Sequence, residues 1–191
     1  MAEFAASAAR YGWNGLVAAG PDAWRVVALA ARMCGAGVDQ VPSTPLMVAD
    51  GDAPLAAVCL GLDGLPVRAY ADVYQGVREA CVYPAGDAQV EQLVADADVA
   101  EGARAIGLTL GVPSVAHLGW VDGLLLDRAF DARRHHQAVT LATVTDLADF
   151  AGTTPTAHDA RAATAAAALA RAAGVDPDAV AHALRQGPVQ S

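Results

Sequence analysis

Short apolar runs separated by turn residues predict a series of buried strands. The runs are rich in Val, Leu, Ala and Ile, as is typical of strands covered on both faces of a parallel sheet. The predicted strands cover residues 16–19, 55–60, 80–83, 104–110, 121–130 and 139–144. Gly123 is expected in a hairpin turn within the fifth of these segments.

Helical patterns lie between these runs. The first long helix is predicted to start at about Pro21, which suits a first helical turn, and to stop at Gly35. Further helices are predicted over residues 3–9, 67–74, 88–95, 158–173 and 177–186, with a short strand at 46–49. Strands alternating with helices indicate the α/β class, with a mostly parallel sheet flanked by helices. The length of 191 residues favours a single domain, residues 1–191.

The charge balance excludes several functions. All 12 basic residues are Arg, against 21 acidic residues, and the net charge is −9. A chain without Lys forms no lysine Schiff base and lacks the lysine of a phosphate-binding loop. The scattered Arg residues argue against nucleic acid as a partner and against a polybasic membrane patch. No segment is apolar enough to span a membrane, and the N-terminus lacks a signal-peptide pattern, so we expect a cytoplasmic protein.

Neither the cysteines nor the histidines form a metal-binding pattern. Cys34, Cys59 and Cys81 lie in or beside apolar segments, as buried reduced thiols do. His135 and His136 are adjacent in a polar stretch without a supporting carboxylate or thiol, which is typical of a solvated loop. The sequence therefore predicts no metal site and no bound cofactor.

Four segments, in order, carry a family resemblance. They are residues 71–76 (ADVYQG), 80–83 (ACVY), 98–113 (DVAEGARAIGLTLGVP) and 121–130 (VDGLLLDRAF). The chain resembles the D-glutamate-adding Mur ligases of peptidoglycan synthesis, whose stretch DGLLVDRAF is similar to the last segment. Residues 158–177 resemble the helix pair that closes the central domain of that family. The resemblance covers the central, ATP-binding domain and implies that the family's UDP-sugar and amino-acid domains are absent.

The resemblance fails at the elements that bind phosphate and metal in the family. The family's loop GTNGKT corresponds to residues 19–24 (AGPDAW), which is a degenerate phosphate loop. Ala23 stands in place of the Lys, and Trp24 in place of the Thr that holds Mg²⁺. Pro21 removes a backbone donor, and Asp22 places a carboxylate where a phosphate would lie.

Other family elements are lost as well. The family's carbamylated Lys falls at about Tyr70, its DHLD segment is missing, and its HNxxN pattern remains only as residues 158–162 (HDARA). Together these losses predict that ATP-dependent ligation has been abandoned.

In open α/β sheets, ligands bind beyond the carboxyl ends of the strands. The turns that follow the strands and the start of the helix at residue 158 are expected to meet there. The candidate catalytic residues are His158, Asp159, Asp22 and Asp63, and the candidate ligand-binding residues are Gly20, Trp24, Tyr83 and Arg161. His158 beside Asp159 has the residue types for proton transfer near neutral pH. The alternative is that Asp159 caps the helix.

Two functions follow from these residues. The first is an ATP-independent enzyme of bacterial specialised metabolism, a cyclase, isomerase or lyase that acts on a small organic molecule. The second is a non-catalytic pseudoenzyme that binds a ligand or a partner protein. A deep pocket with two convergent titratable groups favours the enzyme, and a filled cleft with a broad apolar surface favours the binding protein. The apolar composition also predicts a homodimer.

Overall fold

One sheet organises the chain. The computed structural model describes residues 8–46 and 53–189. In chain order, its strands are β1 (Arg10–Trp13), β2 (Leu16–Ala19), β3 (Ala56–Cys59), β4 (Ala80–Pro84), β5 (Arg104–Thr109), β6 (His117–Val121), β7 (Leu124–Asp127) and β8 (Val139–Thr143). The strands lie side by side in this order, and β2 to β6 are parallel. The strands toward both edges of the sheet are antiparallel to their neighbours. Strand β1 is antiparallel to β2, and β7 is antiparallel to both β6 and β8. The predicted α/β class with a mostly parallel sheet is confirmed.

Helices cover both faces of the sheet. They are α1 (Ala23–Met33), α2 (Ala88–Ala95), α3 (Val144–Ala151), α4 (Ala157–Ala172) and α5 (Pro177–Arg185), with 3₁₀ turns at Val38–Gln40 and Val67–Tyr70. Helices α1, α4 and α5 belong to the core layer on one face, and α2 with residues 70–77 belongs to the layer on the other. Alternate residues of β2 serve the two layers, because successive side chains of a strand point to opposite faces.

Helix α4 is the centre of the larger layer. Residues 162–170 of this helix are all buried, so the helix is apolar on every side. Its many Ala side chains are small, and they let α1 and the sheet approach closely. Thr164 is the polar exception, and its hydroxyl accepts a hydrogen bond from the indole of Trp120 at 2.9 Å and donates one to the Ala160 carbonyl at 2.6 Å.

Most of the predicted elements are confirmed. Strands β2 to β5 and helices α1, α2, α4 and α5 lie where the apolar periodicity predicts them. Gly123 lies in the turn between the antiparallel strands β6 and β7, as predicted. The predicted helix over residues 67–74 is wrong: the segment is a 3₁₀ turn, Val67–Tyr70, followed by hydrogen-bonded turns, and Tyr70 and Tyr74 are buried in it. The segments predicted at 3–9 and 46–49 lie largely outside the described residues.

Three elements were missed, although two of them have sequence signals. Strand β1 is joined to β2 by Asn14-Gly15, whose positive φ values of 47° and 83° suit a two-residue hairpin turn. Helix α3 starts with a capping box between Thr143 and Asp146. Strand β6 contains Gly119 and begins with His117, so it has weak strand propensity. Within the described residues, no helix is long and apolar enough to cross a membrane.

Candidate functional site

A cleft opens at the edge of the sheet where the parallel strands end. The turns after β2, β3 and β4, the end of β5 and the first turns of α4 line it, and its volume is about 750 Å³. Its titratable side chains are Asp22, Asp87, His158 and Arg161, and much of the remaining lining is apolar. The position agrees with the edge at which open α/β sheets bind ligands.

Asp22 and His158 meet at the rim of this cleft. Asp22 is the N-cap residue of α1 and has a left-handed backbone with φ of 58°, and its side chain does not cap the helix. Its Oδ2 atom instead contacts Nε2 of His158, in the first turn of α4. The side chains are 35% and 57% exposed, so a ligand in the cleft can reach the pair. An imidazole held by a carboxylate is suited to proton transfer near neutral pH.

The turn that carries Asp22 is pressed against the end of β3. Gly20 has a φ of 94°, and a Cβ atom there would lie 2.6 Å from the carbonyl oxygen of Gly61. The amide of Leu60 donates to the carbonyl of Ala19 at 2.9 Å. Gly20 therefore fixes the path of the turn, because any side chain at this position would push the two segments apart.

Asp159 is engaged in holding the N-terminus of α4. Its Oδ2 atom accepts hydrogen bonds from the amide and the hydroxyl of Thr156 at 3.0 and 2.6 Å, and its Oδ1 atom accepts one from Arg25 at 2.8 Å. Burial by itself raises the pKa of this carboxyl, but the bonds from Thr156 and Arg25 outweigh burial and lower the pKa to about 2. The capping role that the sequence offered as an alternative is therefore present in the structure.

A further carboxylate lies at the N-terminus of α2. The Oδ1 atom of Asp87 accepts hydrogen bonds from the amides of Gln89 and Val90, both at 3.2 Å. Glu91 accepts one from the amide of Gly86 at 2.8 Å. The backbone amides at the start of α2 therefore donate their hydrogen bonds to carboxylates of the chain itself.

Arg161 lies one turn after His158, on the same side of α4. It is exposed and lines the cleft, and within the described residues its guanidinium has no hydrogen bond or ion pair. Arg25 differs, because its guanidinium pairs with Asp159 and stacks on the Phe150 ring, 4.4 Å from the ring centre. Arg161 is therefore a cation at the cleft without a partner in this part of the chain.

Five of the eight predicted site residues do not line the cleft. Two of them, Gly20 and Asp159, fix the turn and the helix end described above, and the other three are Trp24, Asp63 and Tyr83. Trp24 is half-buried against the larger core layer, and its buried indole nitrogen has no partner among the described residues. Asp63 is exposed in a turn beyond β3, with a φ of 40°. Tyr83 packs on the opposite core layer, where burial and then Glu91 raise the pKa of its phenol. Successive side chains of β4 point to opposite faces of the sheet. Because Val82 faces the layer of α4, the side chain of Tyr83 faces the other layer.

Two buried tyrosines fill the core layer behind the cleft. Tyr70 is 1% exposed, and burial raises the pKa of its phenol. The Tyr74 hydroxyl accepts a hydrogen bond from the Cys59 amide at 3.0 Å and donates one to the Val82 carbonyl at 2.6 Å. It thereby joins β3 and β4 at the point where their backbone pairing ends.

Sequence reasoning missed Asp87 and most of the apolar lining after β4 and β5. The signal for Asp87 is present, since an Asp directly before a predicted helix is a favoured N-cap residue. The apolar lining has no comparable signal, because Leu108 and Leu110 follow the same pattern as core residues. Among the described residues, no group of three or more His, Cys, Asp or Glu side chains is placed to hold a metal ion.

Known proteins resemble this chain in part. No family model matches it. It is 49% identical over 113 residues to the UDP-N-acetylmuramoylalanine--D-glutamate ligase of Streptomyces avermitilis, over 59% of this chain and 23% of the ligase. The ligase of the same name from Leifsonia xyli is 42% identical over 134 residues, over 65% of this chain and 26% of the ligase. The one from Thermobifida fusca is 35% identical over 179 residues, over 88% of this chain and 35% of the ligase.

In these three matches the chain spans only about a quarter to a third of the length of the ligases. The similarity nevertheless runs through 88% of the chain in the longest match and reaches 49% identity in the strongest. The predicted resemblance is therefore confirmed: this chain is a relative of the D-glutamate-adding Mur ligases and corresponds to one part of their sequence.

Proposed function

We propose that the cleft binds a small organic molecule and acts on it without ATP, with His158 and Asp22 as the proton-transfer pair. The observation that carries the proposal is the contact between Nε2 of His158 and Oδ2 of Asp22 at the cleft rim. These two residues come from helices far apart in sequence, α4 and α1, and they converge at the ligand-binding edge of the sheet.

The charges around the cleft support the loss of the nucleotide site. A polyphosphate needs donors and cations that neutralise its charge. Here the N-terminal ends of α1 and α2 carry the carboxylates of Asp22 and Asp87, and each would repel a phosphate. Pro21 lines the cleft without a backbone N–H to offer.

The position of Tyr70 supports the same conclusion. The resemblance to the ligases places their activated lysine at this residue, and the chain has no lysine at all. Tyr70 is buried in the core layer behind the cleft, where a phenol with a raised pKa stays neutral at ordinary pH. The proposal therefore contains no acyl-phosphate step and no ATP.

The pair is suited to reactions that begin with removal of a proton. Elimination, isomerisation and cyclisation all need a base and a matching acid, and one imidazole can serve as both. Asp22 holds the imidazole at Nε2, which leaves Nδ1 to exchange a proton with the substrate. Gly20 and Asp159 are positioning residues in this scheme, because they fix the turn and the helix that carry the pair. Trp24, Asp63 and Tyr83 are left out, since they do not line the cleft.

Binding without catalysis is the second candidate. The side chain of His158 is 57% exposed, and a proton-transfer residue that remains open to water loses the benefit of a dry site. In that case the cleft would recognise a ligand, and the His158–Asp22 contact would only join α1 to α4.

Deletion of the gene followed by metabolite profiling separates the two candidates. We expect an intermediate to accumulate, and we expect the purified protein to convert it without ATP. Complementation with His158→Ala or Asp22→Asn should leave the intermediate in place, whereas the exposed control variants His182→Ala and Asp178→Asn should clear it. Full rescue by both cleft variants would refute the assignment of the pair. The absence of any accumulating intermediate would favour the binding protein.

We also propose a homodimer in the cytoplasm. Large apolar side chains that remain exposed support an association between copies. Outside the cleft they are Leu65, Val112, Leu124 and Val144. Light scattering at micromolar concentration should give twice the mass of one chain, and the mass of a single chain would remove the dimer.

A further inference from the structure

We propose that the molecule received by the cleft is an organic monocarboxylate with an apolar body, and that its carboxylate binds Arg161. This inference rests on the proposed function, because it names the class of substrate for the same site. It follows from the charges and the apolar surface that line the cleft.

One positive charge of the lining is left without a partner. His158 is in contact with Asp22, and Asp87 accepts two backbone hydrogen bonds at the start of α2. Arg25 does not line the cleft, and its guanidinium pairs with Asp159. Within the described part of the chain, the Arg161 guanidinium makes no such contact, so its donors are available to a ligand.

A single available cation matches a ligand with a single negative charge. Guanidinium and carboxylate groups fit each other in a bidentate geometry with two parallel N–H···O bonds. A diphosphate or triphosphate would bring further negative charges against Asp22 and Asp87, with no cation of the lining left to neutralise them. The site is therefore matched to a carboxylate rather than to a nucleotide.

The rest of the cleft requires an apolar body. Its walls include Leu60, Pro84, Leu108 and Leu110, which come from the ends of three neighbouring strands and the turns after them. The volume of about 750 Å³ is in the range of pockets that bury most of a drug-sized ligand. A small acid such as acetate would leave the apolar surface of these walls in contact with water. The body of the ligand must therefore be larger and rich in hydrocarbon, so that binding buries this surface.

The spacing on α4 relates the charge to the proposed chemistry. Residues three positions apart on a helix are neighbours on one face, with Cβ atoms about 5–6 Å apart. Both side chains therefore start from the same face of α4, and both line the cleft. Under this proposal, a carboxylate held by Arg161 has its neighbouring carbons on the side of the cleft that carries His158. A proton removed by His158 would come from this end of the substrate rather than from the far end of its apolar body.

Two fluorescent probes with the same body test the charge requirement. 1-Pyrenebutyrate carries a carboxylate, and 1-pyrenebutanol replaces it with a hydroxyl. In a fluorescence titration of the full chain, we expect the acid to bind about tenfold more tightly than the alcohol. Arg161→Gln should weaken binding of the acid about tenfold and change binding of the alcohol less than about twofold.

The matched control is Arg68→Gln, which removes an exposed guanidinium outside the cleft. It should leave both affinities unchanged. Any of three results would overturn the inference: the unaltered chain binds both probes with equal affinity, Arg161→Gln and Arg68→Gln weaken binding of the acid equally, or neither probe shows saturable binding. Such a failure is distinguishable from failure of the proposed function, because conversion of the accumulated intermediate depends on His158 and is measured without these probes.

Discussion

Each end of α4 carries a basic side chain in contact with a carboxylate from another element, but the two contacts differ in burial. At the C-terminal end, Arg171 pairs with Asp127 at 3.1 Å, and the side chains are 12% and 0% exposed. At the N-terminal end, His158 contacts Asp22, and both side chains are accessible from the cleft. A buried pair with satisfied hydrogen bonds maintains a fold, whereas an accessible pair remains available for a ligand.

The hydrogen bonds of the buried pair show how it maintains the fold. The Oδ1 atom of Asp127 accepts bonds from the amides of Ala129 and Phe130 at 2.7 and 2.9 Å, which sets the turn after β7. Arg171 also donates to the Val175 carbonyl, beyond the end of α4. The buried pair therefore holds the end of α4 to the turn after β7, whereas the pair of His158 and Asp22 faces the cleft.

The largest effect is expected from Asp127→Asn. The amide keeps the shape but removes the negative charge, so the buried guanidinium of Arg171 loses its ion pair. Breaking a buried pair from one side costs about 3–5 kcal/mol, and we expect a loss of that order in the free energy of unfolding measured with urea. Asp178→Asn, on an exposed side chain, is the control. A loss below about 1 kcal/mol would show that the two ends of α4 do not differ in this way.

A smaller effect, dependent on pH, is expected from Asp159. Burial alone raises the pKa of this carboxyl, but the hydrogen bonds from Thr156 and Arg25 lower it to about 2 in the folded chain, below the ordinary Asp value of about 3.9. Because the folded pKa is lower, the stabilisation is complete above the unfolded pKa and is lost as the pH falls from about 5 toward 2. Unfolding by urea should show Asp159→Asn to be less stable by about 2 kcal/mol at pH 6, with the difference shrinking toward zero near pH 2. A difference that is independent of pH would contradict the role assigned to this ion pair.

The smallest effect on stability is expected from His158→Ala and Asp22→Asn. The pair is accessible, and exposed ion pairs contribute at most about 1 kcal/mol. Both variants should therefore unfold within about 0.5 kcal/mol of the unaltered chain while losing conversion of the substrate. Thermal unfolding and turnover measured on the same samples would check this. A large loss of stability would instead make the contact part of the fold.

Sequence reasoning predicted the parts of the fold that local chemistry dictates. The apolar strands β2 to β5 and the helix start at Pro177 follow from propensity and capping alone. The start of α1 was predicted at about Pro21, but the helix begins at Ala23, because Asp22 has a left-handed backbone and is the N-cap residue. The helix predicted over residues 67–74 is a 3₁₀ turn followed by further turns. The hydroxyl of Tyr74 bonds to Cys59 in β3 and to Val82 in β4, and no local pattern contains such contacts.

The candidate site was predicted in part for a similar reason. Asp22, His158 and Arg161 lie at the cleft because the carboxyl edge of a parallel sheet is fixed by topology. The partner of His158 is Asp22, 136 positions away in the sequence, and not its neighbour Asp159. Asp159 instead faces Thr156 and Arg25, since adjacent residues on a helix point in different directions. Tyr83 was predicted to bind the ligand, but its side chain packs on the core layer of α2 instead. Successive side chains of a strand point to opposite faces, so a residue at a strand end can face away from the cleft.

The central proposal is that the cleft of this ligase relative does not bind a nucleotide. Calorimetric titration of the full chain with magnesium ATP tests it most directly. We predict no saturable heat of binding up to about 1 mM nucleotide, because carboxylates stand at the helix ends that face the cleft. Stoichiometric binding in the micromolar range that disappears when magnesium is removed would contradict the account.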